Sequence, residues 1–335
     1  MRHGLYIIDF HGHLRGNQHL ASFCAEDQVT PFYQGIAPLF ERLANITEPV
    51  HDGFLRHLAL NFRGSLSRSL YAMAGQFGLM EALRLFKNSD VRSLLASMDR
   101  CGIDHTVVCS LEPFIMTQDL LEAIRPHRSR ISLFASVARE QPDPAGYFGK
   151  FIESGEITGL KLHPLVGGYA CGELFESTKD IVGLAVEHNL PILIHTGHIP
   201  KSAIAGLARG CNELEFIEPL LAAFPRGRFV LAHIGWESWR QVLALAKKYK
   251  NTWVETSWQP ARIIRRAVDA LGPQRVIFGS DFPLFKQRLA YRQVDQALTT
   301  KELILVASVN ARYLLEGSKA GKNLLQKATS PANVS

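Results

Sequence analysis

Several features are scarce in this 335-residue sequence, and each absence removes a class of protein. No apolar run approaches the roughly 20 residues that a membrane-spanning helix needs, so we expect no membrane association. The opening residues, MRHGLYIID, lack the charged segment, long apolar segment and cleavage site of a secretory signal. The five cysteines form no CxxC pair and are odd in number, which favours reduced thiols and a cytoplasmic protein.

Basic residues form no stripe interleaved with aromatic ones, although the formal net charge is +6. Half of that charge comes from Lys319, Lys322 and Lys327, which lie in a tail of residues 317–335 without any acidic residue. We therefore expect a basic, flexible tail and no nucleic-acid partner.

Apolar residues, by contrast, are plentiful at 47%, which is enough for a large globular core. Eight short apolar runs recur, each ending near a polar residue: residues 5–10, 105–110, 131–137, 158–163, 190–195, 228–233, 252–257 and 275–280. Because the apolar residues are consecutive, these runs are typical of strands buried on both faces in a parallel sheet.

Helical patterns separate the runs, such as VRSLLASMDRCG with a stop at Gly102, and TQDLLEAIRPHR with Thr117 as N-cap. From the second run onward the strand starts lie 23 to 38 residues apart, the length of one βα unit. The pattern predicts an α/β fold, a (β/α)8 TIM barrel, with a doubly wound open sheet as the alternative.

The first gap is longer, because residues 14–88 contain helical patterns and no clear strand. We interpret these residues as a helical cap inserted after the first strand of a barrel domain spanning residues 1–316. The cap would serve either as a lid or as a dimer surface, so a homodimer remains open.

Polar residues follow the predicted strands at the ends that open on one face of a barrel, where active sites of this fold lie. They are His11 and His13, Lys161 and His163, His195, His233 and Asp281. Two histidines separated by one residue share a strand face, which is a chelating arrangement. Imidazole and carboxylate donors suit Zn²⁺, and also Fe²⁺, Co²⁺ or Mn²⁺, better than Ca²⁺ or Mg²⁺. We expect one divalent ion, zinc first, which would lower the pKa of bound water from about 15.7 to about 7.

These residues carry a family resemblance. HGH (11–13), the strand-end histidines and GSDFP (279–283) resemble the amidohydrolase superfamily. GLKLHP, ILIHTG, LAHIGW and VIFGSDFP more narrowly resemble its amidohydrolase-related branch, which contains aminocarboxymuconate-semialdehyde decarboxylase, hydroxybenzoate decarboxylases and several lactonases. The resemblance runs from residue 5 to about residue 316 and leaves out the cap and the tail.

The resemblance implies roles for the strand-end residues. His11, His13, His195 and Asp281 would bind the metal, while His233 and Asp281 would transfer protons. Lys161 and His163 would contact substrate or support the ligands, although a lysine at this strand is carboxylated and bridges two ions in two-metal members.

Three further residues have two interpretations each. Trp236 either lines the pocket, which would favour a flat or cyclic substrate, or fills a gap between loops and helices. Asp9 shares the parity of His11, which favours a role in orienting that histidine over an outward position in the helix layer. Glu255 has the same two interpretations.

The reaction is the least determined property. We expect a metal-dependent hydrolase that cleaves a C–O or C–N bond in a small cyclic or carboxylate-bearing substrate. A non-oxidative decarboxylase of an aromatic or unsaturated acid would use the same ligands. A barrel that binds a small molecule without turnover is the third hypothesis.

Overall fold

A computed structural model describes residues 5–15, 85–86, 88–197, 214–318 and 321–322 of the chain. Eight parallel strands lie in chain order within one sheet. They are β1 (Ile8–Gly12), β2 (His105–Cys109), β3 (Ile131–Ala135), β4 (Gly159–Leu162), β5 (Pro191–Ile194), β6 (Arg228–Leu231), β7 (Thr252–Glu255) and β8 (Val276–Ile277). Each coincides with a predicted run, which confirms the barrel and excludes the open sheet.

Backbone hydrogen bonds join the last strand to the first. The N–H of Phe10 donates to the carbonyl oxygen of Phe278 at 3.0 Å, and the N–H of Asp281 donates to the carbonyl oxygen of His11 at 2.7 Å. These bonds close the barrel and bring residues from both ends of the sequence to one rim.

Helices alternate with the strands. They are α1 (Val91–Cys101), α2 (Thr117–Ile124), α3 (Pro144–Ser154), α4 (Leu174–Glu187), α5 (Glu218–Ala223), α6 (Trp239–Lys248), α7 (Ala261–Leu271), α8 (Gln287–Ala297), α9 (Thr300–Ile304) and α10 (Asn310–Leu315). Gly102 ends α1 in the left-handed conformation, as predicted. Thr117 is not an N-cap, because α2 begins at this residue and its hydroxyl donates to Glu112.

The apolar core has two parts. A large cluster lies between the strands and the helices, and a smaller one fills the barrel interior, where Phe10 and Phe134 meet edge to face at 5.3 Å. Leu314 of α10 joins the interior cluster together with Tyr6 and Trp253 from the N-terminal ends of their strands. Apolar side chains therefore fill the barrel interior toward the N-terminal ends of the strands, and polar side chains occupy the rim at the C-terminal ends.

A shift in strand pairing lies between Asp9 and Gly12 of β1. Phe10 belongs to the interior cluster and His11 contacts Lys161 across the barrel, whereas Asp9 contacts Gln287 on α8 in the helix layer. Asp9 accepts the backbone N–H of His11 at 3.3 Å, but the His11 ring nitrogens contact Glu255 and Lys161 instead, because a bulge interrupts the alternation of faces.

The predicted cap (14–88) and tail (317–335) fall almost wholly outside the described residues. None of the described helices is long and apolar enough to cross a membrane.

Candidate active site

Three predicted metal ligands converge at the C-terminal rim of the barrel. The Nε2 atoms of His11 and His13 lie 3.2 Å apart, and the Asp281 carboxylate oxygen Oδ1 lies 3.5 Å and 3.2 Å from them. All three side chains are at least 94% buried. First and last strands thus supply one compact cluster.

The other ring nitrogens fix the tautomers of both histidines. His11 Nδ1 lies 3.0 Å from Glu255 Oε2, and His13 Nδ1 lies 3.0 Å from the carbonyl oxygen of Cys109. Since a carboxylate and a carbonyl oxygen only accept, both Nδ1 atoms carry the proton and both Nε2 atoms present lone pairs. Two lone pairs and a carboxylate facing one another form an environment that a divalent cation stabilises, so these donors fit a metal ion.

Asp281 is held in an unusual conformation. Its φ of 63° lies in the left-handed region, and the indole N–H of Trp258 donates to its Oδ2 at 2.7 Å. Burial alone would raise the pKa of Asp281, but its polar surroundings, which include the hydrogen bond from Trp258, outweigh burial and lower the pKa. Asp281 is therefore a carboxylate at neutral pH.

His195 and His233 lie next to this cluster. His233 Nε2 is 3.1 Å from His195 Nδ1, whereas His195 Nε2 is buried without a hydrogen-bond partner among the described residues. Among the described residues, two groups of three place their donor atoms within 4.8 Å of one another: His11, His13 and Asp281, and His11, His233 and Glu255. His195 belongs to neither group, so its predicted role as a ligand depends on its unpaired nitrogen.

Burial lowers the pKa of three rim histidines, His11, His195 and His233. It lowers the pKa of His195 to about 3, with the positive charge of Lys161 acting in the same direction. The pKa values of His11 and His233 are also lowered, chiefly by burial and then by Lys161 and His195 respectively. Neutral imidazoles retain the lone pairs that metal binding or proton transfer requires.

Lys161 and His163 face the same rim from β4. The Lys161 ammonium is 1% exposed and lies 2.9 Å from His11 Nε2. His163 stacks on His195 with ring centroids 3.9 Å apart and accepts the backbone N–H of Val166 at Nδ1. The proton of neutral His163 therefore sits on Nε2, which makes this atom a hydrogen-bond donor.

Aromatic rings flank His233. Trp236 stacks on it at 5.8 Å and meets Trp258 edge to face at 5.4 Å. Both tryptophans are partly exposed, and Gln259 fixes the backbone of Trp236 by donating to its carbonyl oxygen at 3.1 Å. Trp236 therefore lies beside the site residues, as the pocket interpretation requires.

Glu255 contacts His11 Nδ1 at 3.0 Å, which agrees with the first of its two interpretations, a role in orienting a histidine. Sequence reasoning left out Ser257, which contacts His233 at 2.6 Å and lies at the end of the seventh predicted run. Asp9 instead accepts hydrogen bonds from Ser280 and Gln287, so it braces the segment that carries Asp281.

A closed barrel with polar, titratable residues clustered at its C-terminal rim has the arrangement of TIM-barrel enzymes, whose active sites lie at that face. The family model described as amidohydrolase matches residues 8–316, and the chain therefore belongs to the amidohydrolase family. It is an enzyme of the amidohydrolase superfamily, as the sequence motifs indicated. No curated protein matches the sequence.

Solved structures share the fold at low sequence identity. An uncharacterized TIM-barrel protein from Bordetella bronchiseptica is 15% identical, with a TM-score of 0.64 over 95% of this chain and 100% of that one. The 5-carboxyvanillate decarboxylase from Sphingomonas paucimobilis is 15% identical, with a TM-score of 0.60 over 93% and 99%. The enzyme of that name from Novosphingobium aromaticivorans, complexed with manganese and a nitrobenzoic acid, is 16% identical, with a TM-score of 0.59 over 93% and 96%.

Proposed function

We propose that the chain is a metal-dependent hydrolase that cleaves a C–O or C–N bond in a small cyclic or carboxylate-bearing substrate. The observation that carries the proposal is the convergence of the His11, His13 and Asp281 acceptor atoms, 3.2 to 3.5 Å apart, with no proton between the two imidazoles. Such a cluster is costly to bury unless positive charge neutralises it; the Lys161 ammonium contacts His11 Nε2 at 2.9 Å, and a divalent ion would add charge shared by all three residues.

His11, His13, His195 and Asp281 would hold one divalent ion, with zinc as the first choice and Mn²⁺, Fe²⁺ or Co²⁺ as alternatives. The unpaired Nε2 of His195 supports its inclusion. A bound ion of this kind polarises an approaching oxygen and makes water a stronger acid.

The residues around the cluster are suited to accept protons. His233 is a neutral imidazole, because burial lowers its pKa, and Asp281 is an anion. In hydrolysis, Asp281 would take a proton from the attacking water, and His233 would accept and return a proton at the substrate oxygen or nitrogen. A general base must be unprotonated in the resting state, and both residues meet that condition.

Substrate recognition would use β4 and the aromatic rings. His163 Nε2–H donates toward a carbonyl or carboxylate oxygen, and the buried Lys161 ammonium adds a positive charge to the same rim. Trp236 and Trp258 provide flat apolar surface, which suits a cyclic substrate.

The aromatic surface also fits a second candidate, a non-oxidative decarboxylase of an aromatic or unsaturated acid. Two solved structures of similar fold are 5-carboxyvanillate decarboxylases. That reaction requires a group to deliver a proton to carbon, whereas hydrolysis takes its proton from the attacking water.

The test combines metal analysis with a substrate panel. Purified chain reconstituted with zinc or manganese is incubated with lactones, cyclic amides and hydroxyaromatic acids, while acid release and CO₂ are recorded. We expect His11→Ala and Asp281→Ala to lose both metal and turnover, and His233→Asn to retain metal and lose turnover.

The matched control is His105→Asn, since His105 is a buried histidine of β2 that contacts Ser132 and none of the rim residues. This variant should keep both metal and turnover. CO₂ release without hydrolysis would establish the decarboxylase. A chain that binds no metal and turns over no compound would favour binding without catalysis.

A further inference from the structure

Glu255 is a fully buried carboxylate that receives several hydrogen bonds. Its Oε2 accepts from His11 Nδ1 at 3.0 Å, from the Ser257 hydroxyl at 2.9 Å and from the backbone N–H of His233 at 3.2 Å. Its Oε1 accepts from the backbone N–H of Ser257. A Cβ atom at Gly279 would overlap this carboxylate, so a glycine there leaves the space that Glu255 occupies.

The Ser257 hydroxyl has one proton and two partners. Burial raises the pKa of Glu255 to about 7, and the backbone N–H groups of Ser257 and His233 favour its ionised form. The ionised carboxylate only accepts, so the hydroxyl gives its proton to Glu255 at 2.9 Å. It then accepts from His233 Nδ1, which lies 2.6 Å away. His233 is therefore the Nδ1–H tautomer, and its Nε2 carries a lone pair.

The same logic reaches the next histidine. His233 Nε2 accepts from His195 Nδ1 at 3.1 Å, which leaves His195 Nε2 without a proton. In the part of the chain that the structure describes, that atom has no hydrogen-bond partner, which agrees with the absence of a proton on it. The backbone of Gly197 also bonds to His195, so the His195 proton has an alternative acceptor when His233 takes a proton from substrate.

We propose that Glu255 and Ser257 are positioning residues that fix the proton on Nδ1 of His233. They leave a lone pair on its Nε2, which accepts from His195 Nδ1 at rest and becomes available to a substrate proton when the His195 proton bonds to the Gly197 backbone instead, and they keep His195 Nε2 unprotonated. The proposal deepens the proposed function and rests on it for the role of His233 as the proton acceptor. The Ser257 and Glu255 pair would also stabilise the imidazolium that forms when His233 is protonated.

The experiment reads the tautomer directly. Full-length protein labelled with ¹⁵N-histidine is examined by NMR in the presence of Zn²⁺, and His233 is assigned by the signals lost in His233→Asn. We expect one protonated nitrogen at Nδ1 and one unprotonated nitrogen at Nε2. A proton on Nε2 of wild-type His233 overturns the proposal, whatever the variants do.

Variants test the contribution of the hydroxyl. Ser257→Ala should lose the single tautomer and reduce turnover of any hydrolysed substrate by roughly 10- to 100-fold with zinc content retained, whereas Ser257→Thr should restore both. Ser136→Ala is the matched control, because this buried serine on the β3 side bonds to Ser110 and to the backbone N–H of Glu112. An unchanged His233 tautomer in Ser257→Ala would contradict the proposal.

The tautomer does not depend on the reaction. If no panel compound is hydrolysed or zinc is not retained, the proposed function fails. The ¹⁵N NMR signals of His233 still test the Nδ1–H assignment in that case. If His233 shows the opposite tautomer in an active hydrolase, the function stands and the positioning role is refuted.

Discussion

Asp9 offers a quantitative test of how the barrel is closed. Its carboxylate accepts from the Ser280 backbone N–H at 2.8 Å, the Ser280 hydroxyl at 2.6 Å, Gln287 Nε2 at 2.8 Å and the His11 backbone N–H at 3.3 Å. Asp9→Ala would remove all four acceptor contacts at a site with no solvent access. The Ser280 hydroxyl retains the carbonyl oxygen of His11 at 3.4 Å and Gln287 retains Thr106 at 3.2 Å, so the backbone N–H groups of Ser280 and His11 lose most. Each unsatisfied group costs about 1–3 kcal/mol, and we expect a total loss of about 3–5 kcal/mol.

Asp9→Asn should be much milder. Its amide oxygen can keep the Ser280 N–H, and its new NH₂ group faces Gln287. The Gln287 Oε1 atom is buried without a partner, so rotation of that amide supplies an acceptor. We expect a loss of about 1 kcal/mol, comparable to one exchanged hydrogen bond.

Guanidinium unfolding with a common m-value measures both variants. Gln287→Glu places a second carboxylate beside Asp9 and should destabilise the protein strongly, whereas the double variant Asp9→Asn/Gln287→Glu reverses the polarity of the pair and should recover most of that loss. If Asp9→Asn is as damaging as Asp9→Ala, or the double variant shows no recovery, the hydrogen-bond reasoning is refuted.

Three further predictions concern other contacts. Gly279→Ala should lower stability by about 1–3 kcal/mol, because its Cβ would overlap the Glu255 carboxylate. Thermal unfolding measures this loss, and an unchanged midpoint would show that Glu255 can move aside. Arg265 and then the Thr299 backbone lower the pKa of Glu302 to about 2. The ion pair with Arg265 is partly exposed and stabilises the fold by about 1 kcal/mol. This stabilisation is present above the ordinary pKa of 4.5 and is lost as pH falls toward 2. Glu302→Gln should lack this acid dependence when unfolding is measured between pH 5 and 2. Tyr147→Phe should cost about 1 kcal/mol in chemical unfolding, since its hydroxyl donates to the buried Glu112 at 2.9 Å; a gain in stability would contradict this assignment.

The sequence was informative where a short pattern determines local structure. Consecutive apolar residues identified all eight strands, because strands covered on both faces have little alternation. The polar residue after each run then marked the rim, since parallel strands end on one side. His11, His13 and Asp281 were brought together by this reasoning alone, before any distance was known.

What failed depends on irregular backbone. The bulge in β1 places the Asp9 and His11 side chains on different faces, and no residue pattern in IIDFHGH predicts this bulge. His233 has a φ of 60°, so counting residues from β6 does not give its orientation. Helix α3 was overlooked, although Asp143 as N-cap, Pro144 at the first turn and Gly155 after the last turn are ordinary boundary signals. The partners of Glu255 come from separate strands and follow only from three-dimensional contact.

The hydrogen bonds between β1 and the segment after β8 have a consequence for biosynthesis. During translation, His11 and His13 leave the ribosome long before Asp281 has been added to the growing chain, and the closing bonds at Phe10 and His11 have no partners until then. A nascent chain or a truncation that stops short of β8 can neither seal the cylinder nor assemble the rim cluster. Assembly of the rim cluster therefore has to wait until synthesis has passed Asp281, and truncated chains that end before β8 should bind no cation at this rim.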